Sequence, residues 1–277
     1  MTGVYQIYPN HKMSFWNKFF YGFSLTTQLI IVNVVLYLVS MIFISIYGND
    51  FFYKFALVPE LVLSGQTIWS IITSMFLHGS FAHLFANMFS LYFIGGFLEK
   101  IIGRKRFFWM YIFAGILGSV FYIASSYIFG SMNVPAVGAS GAIFGILGVL
   151  AVLVPRSKIY MIVGPLILII VEVLIMRFLP ANFYSVVSVI INILFLVMIF
   201  SLFSFNSSFR KISLPLELEM WLLPIVAIVP LVIIGFFVDL PIGNSAHIGG
   251  LVLGLIYGFY LRHKFPNKTK KLSRMFR

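Results

Sequence analysis

Long apolar segments dominate this sequence, and a bundle of membrane-spanning helices is the fold class that accommodates them. The segments lie at about residues 24–47, 71–98, 107–129, 139–154, 159–178, 184–205, 220–238 and 245–262. A helix needs roughly 20 apolar residues to cross the hydrocarbon core, where its backbone must hydrogen-bond internally. Of the 277 residues, 61% are hydrophobic and 9% are charged, too few charges for a soluble domain. We therefore predict an all-α polytopic membrane protein with about eight spans.

The basic residues predict how these spans are oriented. With the N-terminus inside, the predicted inner stretches hold 17 of the 19 lysines and arginines, and only Lys54 and Arg177 fall elsewhere. Basic residues favour cytoplasmic loops, so both termini are predicted to be cytoplasmic. The predicted layout is a tail at 1–23, a transmembrane domain at 24–262 and a basic tail at 263–277. This distribution accounts for the net charge of +12 without nucleic acid, for which no recognition module is present.

A few polar side chains lie inside the predicted spans or at their ends. They include His83 in the second span, Ser140 at the start of the fourth and His247 at the start of the eighth. Ionisable groups inside a membrane are costly, which makes them functional candidates. The predicted orientation places these three residues near the outer ends of their helices. We therefore expect one water-accessible site that opens outward.

The second span carries a polar pair on one helical face. His83 and Asn87 are four residues apart and therefore stack on that face, where both could donate hydrogen bonds to an oxyanion. The same pair could instead join two helices. His78 would lie about 140° around a regular helix from His83, a poor arrangement for binding one metal. No H-E-x-x-H motif is present, which argues against a zinc metalloprotease. The two aspartates, Asp50 and Asp239, lie in outer loops or at helix ends, which argues against an aspartyl protease site inside the membrane. We expect no metal and no cofactor.

The stretch VPAVGASGAIFG, residues 134–145, places Ser140 between Gly138 and Gly141. Small residues of this kind let two membrane helices approach closely, so the stretch alone is compatible with simple packing. Ser140 could also be a nucleophile, which requires a base to accept its proton.

The final span supplies a candidate base in NSAHIGGLVLG. His247 lies at the depth predicted for Ser140, and Gly250 and Gly254 follow at positions i+3 and i+7. These glycines would let the histidine helix pack against the glycine face of the serine helix, which includes Gly141. This pairing favours a catalytic site over a packing motif.

In combination, these motifs resemble those of the rhomboid intramembrane serine proteases. The resemblance rests on FALVPELVLSGQTIWSIITSMFLHGSFAHLFANM, LEKIIGRKRFFWMYIFAGILGS, GASGAIFG and AHIGGLVLG. It is continuous over about residues 55–154 and resumes at 245–262. It implies a six-helix core, here with two additional spans within 159–238. Three spans then separate Ser140 from His247, and an odd number keeps both residues at the outer side.

The resemblance implies a two-residue catalytic centre without an acidic third member. Ser140 would be the nucleophile and His247 its general base. His83 and Asn87 would stabilise the oxyanion together with the backbone N–H of Ser140.

The resemblance also implies supporting roles. Gly138 would lie beside the site, Phe144 would stack against the histidine, and Glu99 would help to hold the cytoplasmic loops. The family often has Trp-Arg in the first outer loop, whereas here Trp69 is followed by Ser70. The loop is therefore expected to be held differently.

The implied activity is that of a serine endopeptidase that cleaves transmembrane segments of membrane proteins near the outer face. An alternative is a catalytically inactive relative that binds transmembrane clients. A transporter is disfavoured because the polar residues do not form a path across the bilayer. The composition fits a prokaryotic plasma membrane, with the bilayer and transmembrane substrates as partners. Glu172, with Arg177 nearby, is expected to make a structural polar contact, and a role in gating substrate is the alternative.

Overall fold

The computed structural model describes residues 22–202, 206–235 and 243–276. Its helices are α1 (Leu25–Tyr47), α2 (Asn49–Phe55), α3 (Pro59–Leu63), α4 (Ser70–Thr73), α5 (Phe81–Ser90), α6 (Gly96–Ile102), α7 (Arg104–Phe129), α8 (Ser140–Leu153), α9 (Val163–Phe178), α10 (Tyr184–Leu202), α11 (Ser207–Arg210), α12 (Leu223–Gly235), α13 (Asn244–Lys264) and α14 (Pro266–Met275). The strands are β1 (Lys158–Ile162) and β2 (Pro215–Glu219). Residues 1–21 of the predicted tail lie outside the described residues, as does the end of the predicted span at 236–238.

Apolar helices make up most of the described chain. Those long and apolar enough to cross a membrane are Leu25–Tyr47, Phe81–Ile102, Arg104–Phe129 and Tyr184–Ser201. Shorter apolar helices lie at Ser140–Leu153 and Leu223–Ile233. The protein is thus a mostly helical, polytopic membrane protein.

The second predicted span differs from a single helix over 71–98. It is divided into α4, a 3₁₀ turn and a loop before α5 begins at Phe81. Ser80 caps α5, and its Oγ accepts a hydrogen bond of 3.1 Å from the backbone N–H of His83. This cap satisfies an N–H that has no intrahelical acceptor, so the helix begins here although the apolar run begins earlier. A π-helical turn at Leu91–Gly95 leads into α6.

The expectation of an all-α fold is wrong at one place. β1 and β2 pair as antiparallel strands, with Lys158 opposite Glu219 and Ile162 opposite Pro215. Lys158 Nζ lies 2.6 Å from Glu217 Oε1, an ion pair whose hydrogen bond lowers the pKa of the Glu217 carboxyl. The two strands bring the start of α9 beside the segment that follows α10. These two helices therefore form a hairpin inserted between α8 and α12.

Helix α8 is the centre of the bundle and packs against both α7 and α13. Every residue from Gly141 to Leu150 is buried. A Cβ atom built on Gly250 would overlap the carbonyl oxygen of Gly141, and one on Gly254 would overlap that of Gly145. The absence of side chains at these positions allows α8 and α13 to make backbone contact.

Glu99 joins α6 to the start of α1. Its carboxylate accepts hydrogen bonds from the backbone N–H groups of Leu25 and Thr26, both at 2.8 Å, and from Thr26 Oγ1 at 2.7 Å. The first N–H groups of a helix lack intrahelical acceptors, and an anion there also interacts favourably with the helix dipole. Glu99 therefore holds the end of one spanning helix against another.

We expect Glu99→Ala to lower the free energy of unfolding by about 3 kcal/mol, because it removes charged hydrogen bonds and leaves half-buried N–H donors without an acceptor. SDS-induced unfolding in detergent micelles would measure this loss. Lys100→Ala is the matched control, since Lys100 is the exposed neighbour. Equal stability of the two variants would contradict this role of Glu99.

Glu172 makes a polar contact between the two inserted helices. Its Oε1 accepts a hydrogen bond of 3.0 Å from Ser188 Oγ on α10. Asn192 Nδ2 in turn donates to the carbonyl of Ser188 at 2.7 Å. Polar contacts of this kind join helices within a membrane. Glu172 thus makes a polar contact between two helices. The side chain of Arg177, which the sequence places nearby, lies outside the described residues.

Candidate active site

The loop before α8 positions Ser140 as the first residue of that helix. Gly138 has φ +122°, a conformation that L side chains rarely adopt, and its N–H donates to the carbonyl of Ser74 at 2.9 Å. The first N–H groups of α8, including that of Ser140, have no intrahelical acceptor. The half-buried Ser140 hydroxyl thus lies beside backbone donors and at the positive end of the α8 dipole.

The structure brings Ser140 and His247 together. Ser140 Oγ lies 2.8 Å from His247 Nε2, although 107 positions separate the two residues. Each lies in the first turn of its helix, and the glycine contact between α8 and α13 holds these turns side by side. A hydroxyl–imidazole hydrogen bond of this length suits proton transfer from oxygen to nitrogen.

The imidazole of the buried His247 is oriented by an aromatic ring. The Phe144 ring stacks on it, with centroids 4.4 Å apart and an interplanar angle of 22°. His247 Nδ1 has no hydrogen-bond partner in the described part of the chain. Stacking on Phe144 therefore restricts the orientation of this imidazole.

His83 and Asn87 lie against Gly138. A Cβ atom on Gly138 would lie 2.7 Å from His83 Nε2 and 3.4 Å from Asn87 Nδ2. Asn87 is buried, and its Nδ2 has no hydrogen-bond partner among the described residues. The glycine leaves space in front of these two nitrogens. A substrate oxygen in that space could accept hydrogen bonds from them.

The prediction that a regular helix places His78 about 140° around from His83 is wrong, because His78 is not part of α5. His78 lies in the loop before α5, and its ring centroid is 5.1 Å from that of His83 in an edge-to-face arrangement. His78 is buried, with neither ring nitrogen hydrogen-bonded within the described chain. The proximity of His78 to His83 could not be predicted from the sequence, because the hydropathy pattern does not mark where α5 begins.

Comparisons with known proteins point to one family. The Rhomboid domain matches residues 65–194, which include Ser140 and the polar pair of α5. The mitochondrial rhomboid protein 1 of Saccharomyces cerevisiae is 41% identical over 101 residues, covering 35% of this chain and 28% of its own. The rhomboid protease GluP of Bacillus subtilis is 42% identical over 82 residues, covering 30% of this chain and 15% of its own.

The chain belongs to the rhomboid family. Another similar member, the inactive RHOMBOID-like protein 8 of Arabidopsis thaliana, is 37% identical over 81 residues, covering 29% of this chain and 22% of its own. The matches thus span well under half the length of these relatives. The family includes proteins named as proteases and proteins named as inactive, so membership alone does not assign an activity.

The segment between α1 and α5 of this rhomboid protein, which contains the predicted first outer loop, is held by backbone and ring contacts. Leu57 and Ala136 exchange backbone hydrogen bonds of 3.0 and 2.9 Å, which tie the loop to the segment before Ser140. Trp69 Nε1 donates to the carbonyl of Lys54 at 2.8 Å. Ser70, which follows, is fully buried. These contacts show how the loop is fixed without the arginine that the family often has.

Proposed function

We propose that this rhomboid protein is an intramembrane serine endopeptidase that cleaves transmembrane segments of other membrane proteins near the outer face. The observation that carries the proposal is the 2.8 Å contact between Ser140 Oγ and His247 Nε2. The partners are transmembrane substrates within the bilayer, and the chemistry uses no cofactor.

The proposed reaction begins when His247 Nε2 accepts the Ser140 proton as Oγ attacks the scissile carbonyl carbon. The resulting oxyanion lies in the space in front of Gly138, where Asn87, His83 and the Ser140 N–H donate hydrogen bonds. His247 then returns the proton to the leaving amine, which gives an acyl-enzyme. A water molecule, deprotonated by the same nitrogen, hydrolyses the ester and restores Ser140.

Water must reach the site, and the substrate helix must unwind there. Carbonyls within a helix are hydrogen-bonded and shielded from attack, so we expect small and helix-destabilising residues at the cleavage site. The polar residues of α5, α8 and α13 would line a hydrated cavity at the outer ends of these helices.

The proposed topology has eight spans with both termini in the cytoplasm. The spans are α1, the α5–α6 segment, α7, α8, α9, α10, α12 and α13. Pairing of β1 with β2 supports insertion of α9 and α10 as a hairpin that starts and ends on one side. The predicted domains at 1–23, 24–262 and 263–277 belong to this proposal. So does the expected location in a prokaryotic plasma membrane.

A client-binding protein without catalysis is the second candidate, favoured by the similarity to the inactive Arabidopsis relative. Reconstitution into proteoliposomes with a single-span substrate that has Gly and Ala near its outer end separates the two functions. A protease releases two fragments, and mass spectrometry places the cut near the outer face. Stable binding of an uncut substrate would favour the second candidate.

Asn87→Ala is expected to lower kcat about 10²–10³-fold, the usual effect of removing one oxyanion donor. Substrate cleavage in proteoliposomes measures the change. Asn192→Ala is the matched control, since it removes a membrane amide in α10 that is hydrogen-bonded to Ser188 instead. A similar loss in both variants, or none in Asn87→Ala, would remove Asn87 from the proposed oxyanion site.

A further inference from the structure

Three cations surround the ring of Phe265, at the point where α13 joins α14. Arg106 Cζ lies 5.4 Å from the ring centroid, Lys264 Nζ 5.9 Å and Lys268 Nζ 5.8 Å. Lys264 Nζ also donates a hydrogen bond of 2.6 Å to the Tyr260 hydroxyl and lies 5.1 Å from the centroid of that ring. We call Phe265 and the three basic residues around it the Phe265 cluster. No carboxylate in the described part of the chain lies within ion-pair distance of its three cations.

The cluster carries unneutralised positive charge. An aromatic ring attracts cations, but this attraction does not remove the repulsion between three like charges held around one ring. A phosphate group would neutralise this charge and accept hydrogen bonds from the guanidinium and ammonium groups. Basic side chains without a carboxylate partner are available to bind an anion.

The position of the cluster places this anion at the membrane surface. Arg106 lies in the first turn of α7, and Lys264 is the last residue of α13, so both mark ends of membrane helices. Trp109 and Phe113 follow Arg106 at i+3 and i+7 on the same face of α7. Their stacked rings are about half exposed, at 48% and 51%. An apolar surface thus runs into the membrane from the basic cluster.

Helix α14 presents further positive charge at the same level. Leu272 and Phe276 pack against the hydrophobic core, and the Phe276 ring lies 5.0 Å from that of Phe97. The basic residues of α14 are exposed: Lys268, Lys270, Lys271 and Arg274. The exposed side chains of α14 thus add positive charge beside the Phe265 cluster.

We propose that the Phe265 cluster binds the headgroup phosphate of an anionic phospholipid, whose acyl chain lies along Trp109 and Phe113. The phosphate contacts Arg106, Lys264 and Lys268. The site is separate from the proposed catalytic centre and does not depend on proteolysis.

Native mass spectrometry of the full chain in detergent, titrated with phosphatidylglycerol or phosphatidylcholine, tests the proposal. We expect preferential binding of phosphatidylglycerol. In Arg106→Gln/Lys268→Gln, its affinity should fall more than about tenfold, since the variant removes charged hydrogen bonds to the phosphate. The control Lys105→Gln/Lys270→Gln removes the same charge from α7 and α14 outside the cluster. It should change affinity by less than about threefold, because exposed distant charges are screened.

The charge-conserving variant Arg106→Lys/Lys268→Arg should retain most of the affinity, which separates loss of charge from misfolding. Equal losses in the two Gln pairs would overturn the proposal in favour of a diffuse basic surface. Equal binding of both lipids would also overturn it. Displacement of phosphatidylglycerol by inorganic phosphate, when sodium chloride of equal ionic strength has no effect, would assign the site to free phosphate instead.

Discussion

Ser140→Ala and His247→Ala are each expected to lower cleavage of a transmembrane substrate by about 10⁴-fold or more, since loss of either member of a nucleophile–base pair removes nearly all covalent catalysis. Both variants leave in place the backbone contacts that Gly250 and Gly254 allow between α8 and α13, so the variants should stay folded. Cleavage in proteoliposomes measures the rates, and SDS-induced unfolding checks the fold.

The double variant Ser140→Ala/His247→Ala should be no slower than either single variant, because residues that act as one unit are not additive. Ser126→Ala is the control for removal of a buried membrane hydroxyl elsewhere, on α7. Cleavage by Ser140→Ala at the wild-type rate would show that another nucleophile acts.

Gly250→Ala is expected to reduce the free energy of unfolding by about 3 kcal/mol, since its methyl group would overlap the carbonyl oxygen of Gly141 and overpack a close helix contact. Because α8 and α13 would then separate, cleavage should fall about 10²-fold, the effect of a displacement near 1 Å between reacting groups. SDS-induced unfolding and cleavage assays measure the two effects.

Gly96→Ala is the matched control for Gly250→Ala. A Cβ atom on Gly96 meets no other atom within 4 Å. Alanine in a helix is favoured over glycine by about 0.5–1 kcal/mol, so this variant should be slightly more stable. The two variants should change the free energy of unfolding in opposite directions, because the added methyl group meets a backbone oxygen at Gly250 and no atom at Gly96. If Gly250→Ala were as stable and active as Gly96→Ala, the helices could not be in backbone contact.

The sequence predicted the elements that carry the candidate site because their signals are local. The apolar runs define α7, α8 and α13 to within a few residues, and the spacing of Gly250 and Gly254 predicts the close helix contact. The predicted depth of the two residues and the glycine spacing paired Ser140 with His247, and the resemblance to a family then implied their catalytic roles. The structure places the two side chains 2.8 Å apart, while their catalytic roles stay predictions.

The features that the sequence did not reveal depend on long-range or weak signals. Residues 159–162 adjoin the apolar run of the helix that follows, and residues 158–162 form a strand because they pair with 215–219. The start of α5 depends on a cap by Ser80 that a hydropathy pattern does not show. The contact between Leu57 and Ala136 joins loops about 80 positions apart. Tertiary contacts determine each of these features.

Fluorophosphonate labelling of the purified protein tests the central claim most directly, because these probes react only with an activated serine. We expect one phosphonyl adduct, mapped by mass spectrometry to Ser140, in the wild-type protein. No adduct should form in Ser140→Ala or His247→Ala. Folded wild-type protein that stays unlabelled, and that also leaves a transmembrane substrate intact, would contradict the proposed protease and favour a client-binding rhomboid protein.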